Sequence, residues 1–277
     1  MDIHDILALY DRQQRIDIEY PGMRKDVSPH IVRFVRPAPG MSTIQYSRLN
    51  EANADAVIQD QINYFTSIDQ PFSWKVYDHD TPADLKDRLT AHGFKPDELE
   101  GVMVLDLNDV PASLLVPIRA DVRPLTRSEQ LVDVIRIEEQ VWGSDFNWIA
   151  EQLGENLAIP HYLRVYVAYV DDQPACAGWT YFHPHGQFAD LWGGSTVAEY
   201  RQRGLYTAIL AIRVQEAQRR GYRFLTVDTS PMSRPIVAQH GFRWLTHAQD
   251  FDWSPNDTPL ATPAEAPDVE LEERDHP

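Results

Sequence analysis

Along residues 163–253 the apolar positions switch between two repeats. LRVYVAYV (163–170), ACAGWTYF (175–182) and FADLWGGSTV (188–197) are short runs rich in β-branched and aromatic residues. DDQP and HPHGQ separate them, so three strands joined by turns are expected. From Leu205 the spacing lengthens. Leu205, Ile209 and Ile212, with Leu210 and Val214, recur three or four apart, which predicts a helix to about Arg220. Arg219 and Arg220 suit its negative end, and Gly221 suits the left-handed turn beyond it. FLTVDTS (224–230) predicts a strand, PMSRPIVAQHG a shorter helix and FRWLTHAQDFDW a last strand. Upstream, SEQLVDVIRIEEQVWG (128–143) predicts an amphipathic helix entered through Ser128. Its stripe is Leu131, Val134 and Ile135, with the glutamates mainly facing away, and DFNWIAEQLGENLA continues with more helix. Strands interleaved with helices, opened by hairpins, imply an α/β fold with a mixed central sheet and helices on both faces. Residues 120–253 read as one complete domain of this kind.

A spacing recurs upstream. Asp228-Thr229 is followed after ten residues by His240-Gly241-Phe242, and Asp80-Thr81 after the same ten by His92-Gly93-Phe94. Each segment follows a strand-like run (FLTVD, FSWKVYD) and encloses a helix-like one (PMSRPIVAQ, PADLKDRLTA). An internal duplication is expected, with a first domain over residues 1–115. With that offset and no gaps, Arg201, Arg203 and Gly204 fall opposite Asn53, Asp55 and Ala56. The first domain is therefore expected to keep the architecture without an anion site.

Composition narrows the possible chemistry. A formal charge of −17 on 277 residues argues against nucleic acid or an anionic membrane as a major partner. One cysteine, Cys176, leaves no internal disulfide and no cysteine metal cluster, as a reducing compartment allows. The opening MDIHDILALYDRQQR has acids where a signal peptide needs a basic start, and no apolar run nears membrane-spanning length. A soluble, cytoplasmic protein is expected. Residues 254–277 hold five prolines and seven acids against one arginine, the composition of a disordered, solvated tail.

Against this acidic background, TVAEYRQRGLYTAIL (196–210) places Arg201 and Arg203 at a helix start, where partial positive charge already sits. Arg201 and Arg203 could simply pair with Glu199 or another acid beside a glycine turn. The setting points further: a strand ending in GGST, a turn with Gly204, then a helix opening on Leu205-Tyr206-Thr207. Successive backbone N–H groups flanked by guanidiniums favour an anion bearing more than one charge, and a pyrophosphate fits. Neither G-x-G-x-x-G nor G-K-S/T occurs.

The stretch Val197-Ala-Glu-Tyr-Arg201-Gln-Arg-Gly204-Leu-Tyr206 resembles the acyl-CoA signature R/Q-x-x-G-x-G/A of the GNAT family of N-acyltransferases. The resemblance covers about residues 120–253. It departs at Tyr206, in the last Gly/Ala position, and at Glu199, where many members have proline. It implies a tandem GNAT-like fold with a degenerate first domain. The implied reaction is attack of an amine on the thioester of acetyl-CoA, with no metal. Thr196 and Val197 would then meet the pantetheine, and Arg201, Gln202, Arg203, Gly204, Leu205, Tyr206 and Thr207 the pyrophosphate, with Ser230 nearby. Gly193-Gly194 is where a bulge could open the strand. Asp190, eleven residues before Arg201, stands where members often carry a glutamate base. The tyrosine acid of many relatives is Val237 here, which leaves Tyr206 or a water as substitute. The acceptor, a small-molecule or peptide amine, would be shaped by Trp142, Asp145, Phe146, Trp148, Trp179, Tyr181 and His183. His183 and His185 show no carboxylate partner in the sequence. The chain would be a monomer or homodimer. The absent tyrosine also keeps open a non-catalytic acyl-CoA-binding regulatory module.

Overall fold

The computed structural model describes residues 1–38 and 40–255, so the expected acidic tail lies outside the described residues from position 256 on. In the first half the elements are α1 (Ile3–Tyr10), β1 (Arg24–Val27), β2 (Ile31–Val35), β3 (Ser42–Ser47), α2 (Ala54–Ser67), β4 (Phe72–Tyr77), α3 (Leu85–Ala91) and β5 (Lys95–Asp106). The second half holds β6 (Asp121–Leu125), α4 (Val132–Trp142), α5 (Asn147–Leu157), β7 (Leu163–Val170), β8 (Gln173–Phe182) and β9 (Phe188–Thr196). It ends with α6 (Leu205–Arg219), β10 (Phe224–Thr229), α7 (Arg234–Gln239) and β11 (Arg243–Trp253). The expected elements of residues 163–253 are all present.

The strands form one eleven-stranded mixed sheet in the order β1-β2-β3-β4-β11-β5-β10-β9-β8-β7-β6. Alternation along the strands divides it into two apolar faces. Trp179 and Tyr181 pack against α4 and α5 on one face, and Ala189, Leu191 and Leu225 pack under α6 and α7 on the other. α1 covers Phe188, Phe224, Val102 and Val104 with Ile6 and Tyr10. Sequence order is broken only at the centre. β11 lies antiparallel between β4 and β5, and β5 lies antiparallel between β11 and β10. Each half thus inserts its last strand into the other, and both inserted strands have partners on both sides.

Two parallel strand pairs occupy equivalent places, and both part early. β3 and β4 pair from Ser42/Phe72 to Ile44/Trp74. β9 and β10 pair from Phe188/Phe224 to Asp190/Thr226. His92-Gly93-Phe94 and His240-Gly241-Phe242 follow α3 and α7 in the same way, each histidine being the residue after the helix. The Asp-Thr half of the repeat does not coincide in space. Asp228-Thr229 ends β10, whereas Asp80-Thr81 lies in the loop beyond β4. The gapless alignment is corrected accordingly: the residue before α6, Gly204, corresponds to the residue before α2, Asn53, and not to Ala56. The four residues before α2, Asn50, Glu51, Ala52 and Asn53, still include no arginine and no glycine; Arg48 lies further back, directly after β3.

In the first half the parting strands are closed by a cation from the segment after α1. Arg15 is 0 % exposed. Its Nε donates to the Gln45 carbonyl of β3 at 3.2 Å, and Nη2 grips both Asp80 oxygens at 2.8 and 2.7 Å. Nη1 donates to Asp11 at 2.8 Å, and the guanidinium lies 3.9 Å from the Tyr77 ring centroid. A buried charge is tolerated only with this degree of pairing.

Candidate active site

In the second half the same parting leaves a wedge. β9 stays paired with β8 as far as Thr196, and β10 stays paired with β5 as far as Thr229, but beyond Asp190/Thr226 they no longer pair with each other. A bulge sharpens the divergence. Gly178 of β8 pairs with Gly193 and Ala177 with Ser195, so Gly194 is the extra residue. Gly193 and Gly194 have φ of +67° and +104°. A Cβ on Gly193 would stand 2.5 Å from Cζ3 of Trp179, so glycine is required twice over, by conformation and by contact.

The loop from the wedge to α6 concentrates amides and cations. After β9 comes a single 3₁₀ turn (Ala198–Tyr200), then Arg201 in extended conformation and Gln202 and Gly204 at φ +61° and +76°. The first amide bonded back into α6 is that of Ala208, which reaches the Gly204 carbonyl at 3.0 Å. Among the described residues no side chain caps the turn before it, which leaves the Leu205, Tyr206 and Thr207 amides at the positive end of the helix. Arg201 bends back, its Nε donating to the Thr196 carbonyl at 3.1 Å, and Arg203 lies 5.5 Å from the Tyr200 ring centroid. Among the described residues neither arginine forms an ion pair. Glu199 instead raises the pKa of the neighbouring Tyr200 phenol.

Thr196 and Val197 differ in what they offer. The Val197 N–H donates to Ala175 O at 3.0 Å and its carbonyl accepts from Tyr200 at 2.9 Å, so both backbone groups are engaged. Backbone groups alternate sides along a strand, so the Thr196 N–H points to the wedge while its carbonyl accepts from Arg201. Tyr206 lays its ring over Gly194, where a Cβ would lie 3.0 Å from Cε2, and burial raises its phenol pKa. Ser230 begins the turn after β10, its Oγ 3.3 Å from the Ser233 amide. Val237 is buried in the core beside α6.

Asp190 stands at the point of the wedge with both oxygens engaged. Thr226 Oγ1 donates to Oδ1, and His183 Nε2 lies 2.8 Å from Oδ2. The expectation that His183 has no carboxylate partner is therefore corrected: the hairpin before β9 folds it back onto Asp190, a proximity that residue spacing did not reveal. His185 is exposed at the turn. Among the acceptor candidates, Trp179 and Tyr181 face the same side of the sheet as Asp190, with Tyr181 directly opposite it on β8. Trp142 reaches the bulge through Ser195 Oγ at 3.3 Å. Phe146 is buried in the core, Trp148 is exposed, and Asp145 caps the start of α5 through the Asn147 amide at 2.7 Å.

Two residues of the site escaped the sequence reading. Glu138 of α4, expected to face away, is 3 % exposed. Its Oε2 accepts from Ser195 Oγ at 2.7 Å and Trp142 Nε1 at 2.9 Å. Burial raises its pKa. Its position four residues after Val134 and seven after Leu131 was the available signal. Arg213 of α6 is 2 % exposed and donates to the Trp179 and Trp192 carbonyls at 3.4 and 3.1 Å. No carboxylate pairs with it among the described residues, and burial lowers its pKa. It places positive charge directly behind the bulged wall.

No family profile matches the sequence, and no curated protein matches it. Solved structures do. A GCN5-related N-acetyltransferase from Kribbella flavida superposes over 90 % of this chain and 94 % of its own, with a TM-score of 0.65 at 13 % identity. A tandem GNAT protein from the clavulanic acid biosynthesis pathway covers 92 % of this chain and 94 % of its own, with a TM-score of 0.59 at 14 % identity. A GCN5-related N-acetyltransferase from Sphaerobacter thermophilus covers 83 % and 82 %, with a TM-score of 0.53 at 14 % identity. Among the described residues no group of histidines, cysteines and acids is arranged to hold a metal, and no helix is long and apolar enough to cross a membrane. The wedge, the bulge and the arginine-flanked helix start thus sit in a chain whose fold is that of the GNAT acetyltransferases, tandem members included.

Proposed function

We propose that the chain is an acyl-CoA-dependent N-acyltransferase, using acetyl-CoA in its second half. The observation that carries this reading is the wedge beyond Asp190/Thr226, with the Arg201–Thr207 loop at its open end. A thioester on an extended arm fits between strands that have stopped pairing, and a pyrophosphate fits amides and guanidiniums without carboxylate partners. In this reading the Thr196 backbone meets the pantetheine, with Val197 packed behind it. Arg201, Gln202, Arg203, Gly204, Leu205, Tyr206 and Thr207 surround the pyrophosphate, and Ser230 borders the same cleft. The first half, with Arg15 in its own wedge and Asn53 before α2, binds no acyl-CoA.

In this reading Asp190, held by His183 and Thr226, takes the proton as the amine nitrogen attacks the thioester carbonyl. The C–S bond then breaks and CoA leaves as thiolate. In this reading the buried charge of Arg213 behind the bulge favours that anion, and Tyr206, whose ring lies over Gly194, supplies its proton. Val237, where relatives carry a tyrosine, supports a second reading, a non-catalytic acyl-CoA-binding module.

Titration calorimetry with CoA tests binding. The parent is expected to bind, and the Arg201→Ala, Gly204→Asp double variant is expected not to; a parent that does not bind ends the proposal. Thiol release from acetyl-CoA across a panel of amines then separates enzyme from binding module. Asp190→Asn should abolish release while the CoA affinity stays unchanged.

A further inference from the structure

Two buried side chains that carry opposite charges when ionised stand on opposite faces of the bulged strand. Neither has a counter-ion among the described residues. On the α6 face, Arg213 Nη1 donates to the carbonyls of Trp179 and Trp192, the β8–β9 pair immediately before the bulge. Its Nε donates to Ile209 O of its own helix at 3.3 Å. Gly178 makes room for the guanidinium, since a Cβ there would stand 3.0 Å from both Cζ and Nη1. On the α4 face, Glu138 Oε2 holds the hydroxyl of Ser195, the first residue beyond the extra Gly194. Glu138 Oε1 is buried and has no hydrogen-bond partner among the described residues. Both groups are costly to bury in this state. Removing either would strand no opposite charge, so apolar side chains of the same volume would serve the core as well or better. What the two residues share is the bulge.

We propose that Arg213 and Glu138 are positioning residues that clamp the bulge from its two faces, one before Gly193 and one after Gly194, and so fix the strand edge against which acyl-CoA lies. The identity of the ligand rests on the acyltransferase reading; the clamp itself does not. Gly193 and Gly194, at φ +67° and +104°, allow the bulge but do not enforce it, because glycine is free to take many other conformations. Arg213 supplies the constraint on one side by tying Trp192 to Trp179 and both to α6. Glu138 supplies it on the other by tying Ser195 to α4. Trp142 Nε1, 2.9 Å from Glu138 Oε2 and 3.3 Å from Ser195 Oγ, closes the triangle. The Thr196 N–H, next in the chain, is thereby held toward the wedge. Beyond desolvation and its bond from Thr196, the Cys176 thiol of β8 responds to both groups, Arg213 lowering its pKa and Glu138 raising it. Stability given up at a site that must hold one geometry is a recurrent feature of functional positions.

Arg213→Met and Glu138→Leu put an apolar side chain in place of each polar one, whereas Arg213→Lys and Glu138→Gln keep a donor or an acceptor. Three quantities are read on the full chain: the urea midpoint, amide hydrogen exchange over residues 191–197 against the rest of the sheet, and CoA affinity by calorimetry. The apolar variants should keep or raise the midpoint, exchange at least tenfold faster over 191–197 alone, and bind CoA at least tenfold more weakly. The conservative variants should stay within about threefold of the parent in exchange and in affinity. A lowered midpoint in either apolar variant overturns the inference, because that residue is then an ordinary support of the fold. Unchanged exchange over 191–197 also overturns it, as does faster exchange with parental CoA affinity, or conservative variants that behave as the apolar ones do. Faster local exchange in the apolar variants of a chain whose parent binds no CoA would uphold the clamp while refuting the acyltransferase reading.

Discussion

Alanine at position 193 should damage this protein more than alanine at position 204, although both glycines take left-handed conformations. Gly204, at φ +76°, has nothing within 4 Å of the place a methyl group would occupy. Its substitution carries only the left-handed penalty of an L-residue, roughly 1–2 kcal/mol. Gly193, at φ +67°, carries the same penalty and adds an overlap with Trp179, whose Cζ3 and Cε3 would lie 2.5 and 2.8 Å from the new Cβ. Trp179 is packed against α4 and α5 and cannot swing aside without disturbing that core. Overpacking of this kind costs about 1–3 kcal/mol more. Gly193→Ala should therefore lose about 2–5 kcal/mol and Gly204→Ala roughly 1–2 kcal/mol. Urea denaturation followed by tryptophan fluorescence reads both, with the difference taken from midpoints at constant slope. Equal losses, or a Gly193→Ala loss under about 1 kcal/mol, would refute the steric account of the bulge.

Three further outcomes follow from charged and buried groups. Arg15→Met strands Asp80 in the core and should cost about 3–5 kcal/mol in the same denaturation assay; a change near zero would mean that the pairing is not structural. Glu100, whose side chain is still 37 % exposed, is pushed up from the ordinary 4.5 to about 7 by partial desolvation, against the pull of Lys75 and with help from Asp228 and Asp250. Water at the exposed edge makes its effect on stability small. An acid raised in the folded state stabilises it below the unfolded pKa, and that contribution is lost as pH climbs through the folded value. Glu100→Gln should thus match the parent near pH 4 and exceed its melting temperature above pH 7; a constant difference across that range would contradict the sign. Cys176 is buried, with its thiol pushed up to about 11 mainly by desolvation. The native protein should resist Ellman's reagent until unfolded, leaving a clean background for measuring released CoA, and rapid native labelling would show that the thiol is accessible.

Much of the second half was legible because its apolar periods are clean and its breaks carry strong turn signals. The Gly193-Gly194 pair and the Arg201–Gly204 turn could be placed from local residues alone. What the sequence hid was long-range. His183 meets Asp190 only once a hairpin has formed, and Glu138 reads as one more helix glutamate until its spacing from Leu131 and Val134 is weighed. Arg15 lies far from β3 and Asp80 in sequence, and nothing near it announces a buried cation. The repeat was half legible. The His-Gly-Phe turns follow equivalent helices, but Asp80-Thr81 matches Asp228-Thr229 in letters alone, because the first half places a longer loop between β4 and α3.

The interleaving of β11 and β5 makes the two halves mutual lodgers. A fragment ending after β5 would leave an unfilled slot beside β4, and a fragment beginning at β6 would leave one beside β10. The trailing half cannot discard the leading one, because β10 is braced by a borrowed strand, β5. Gene truncation should therefore spare neither piece, whereas two separately synthesised fragments could still recognise each other by trading those strands.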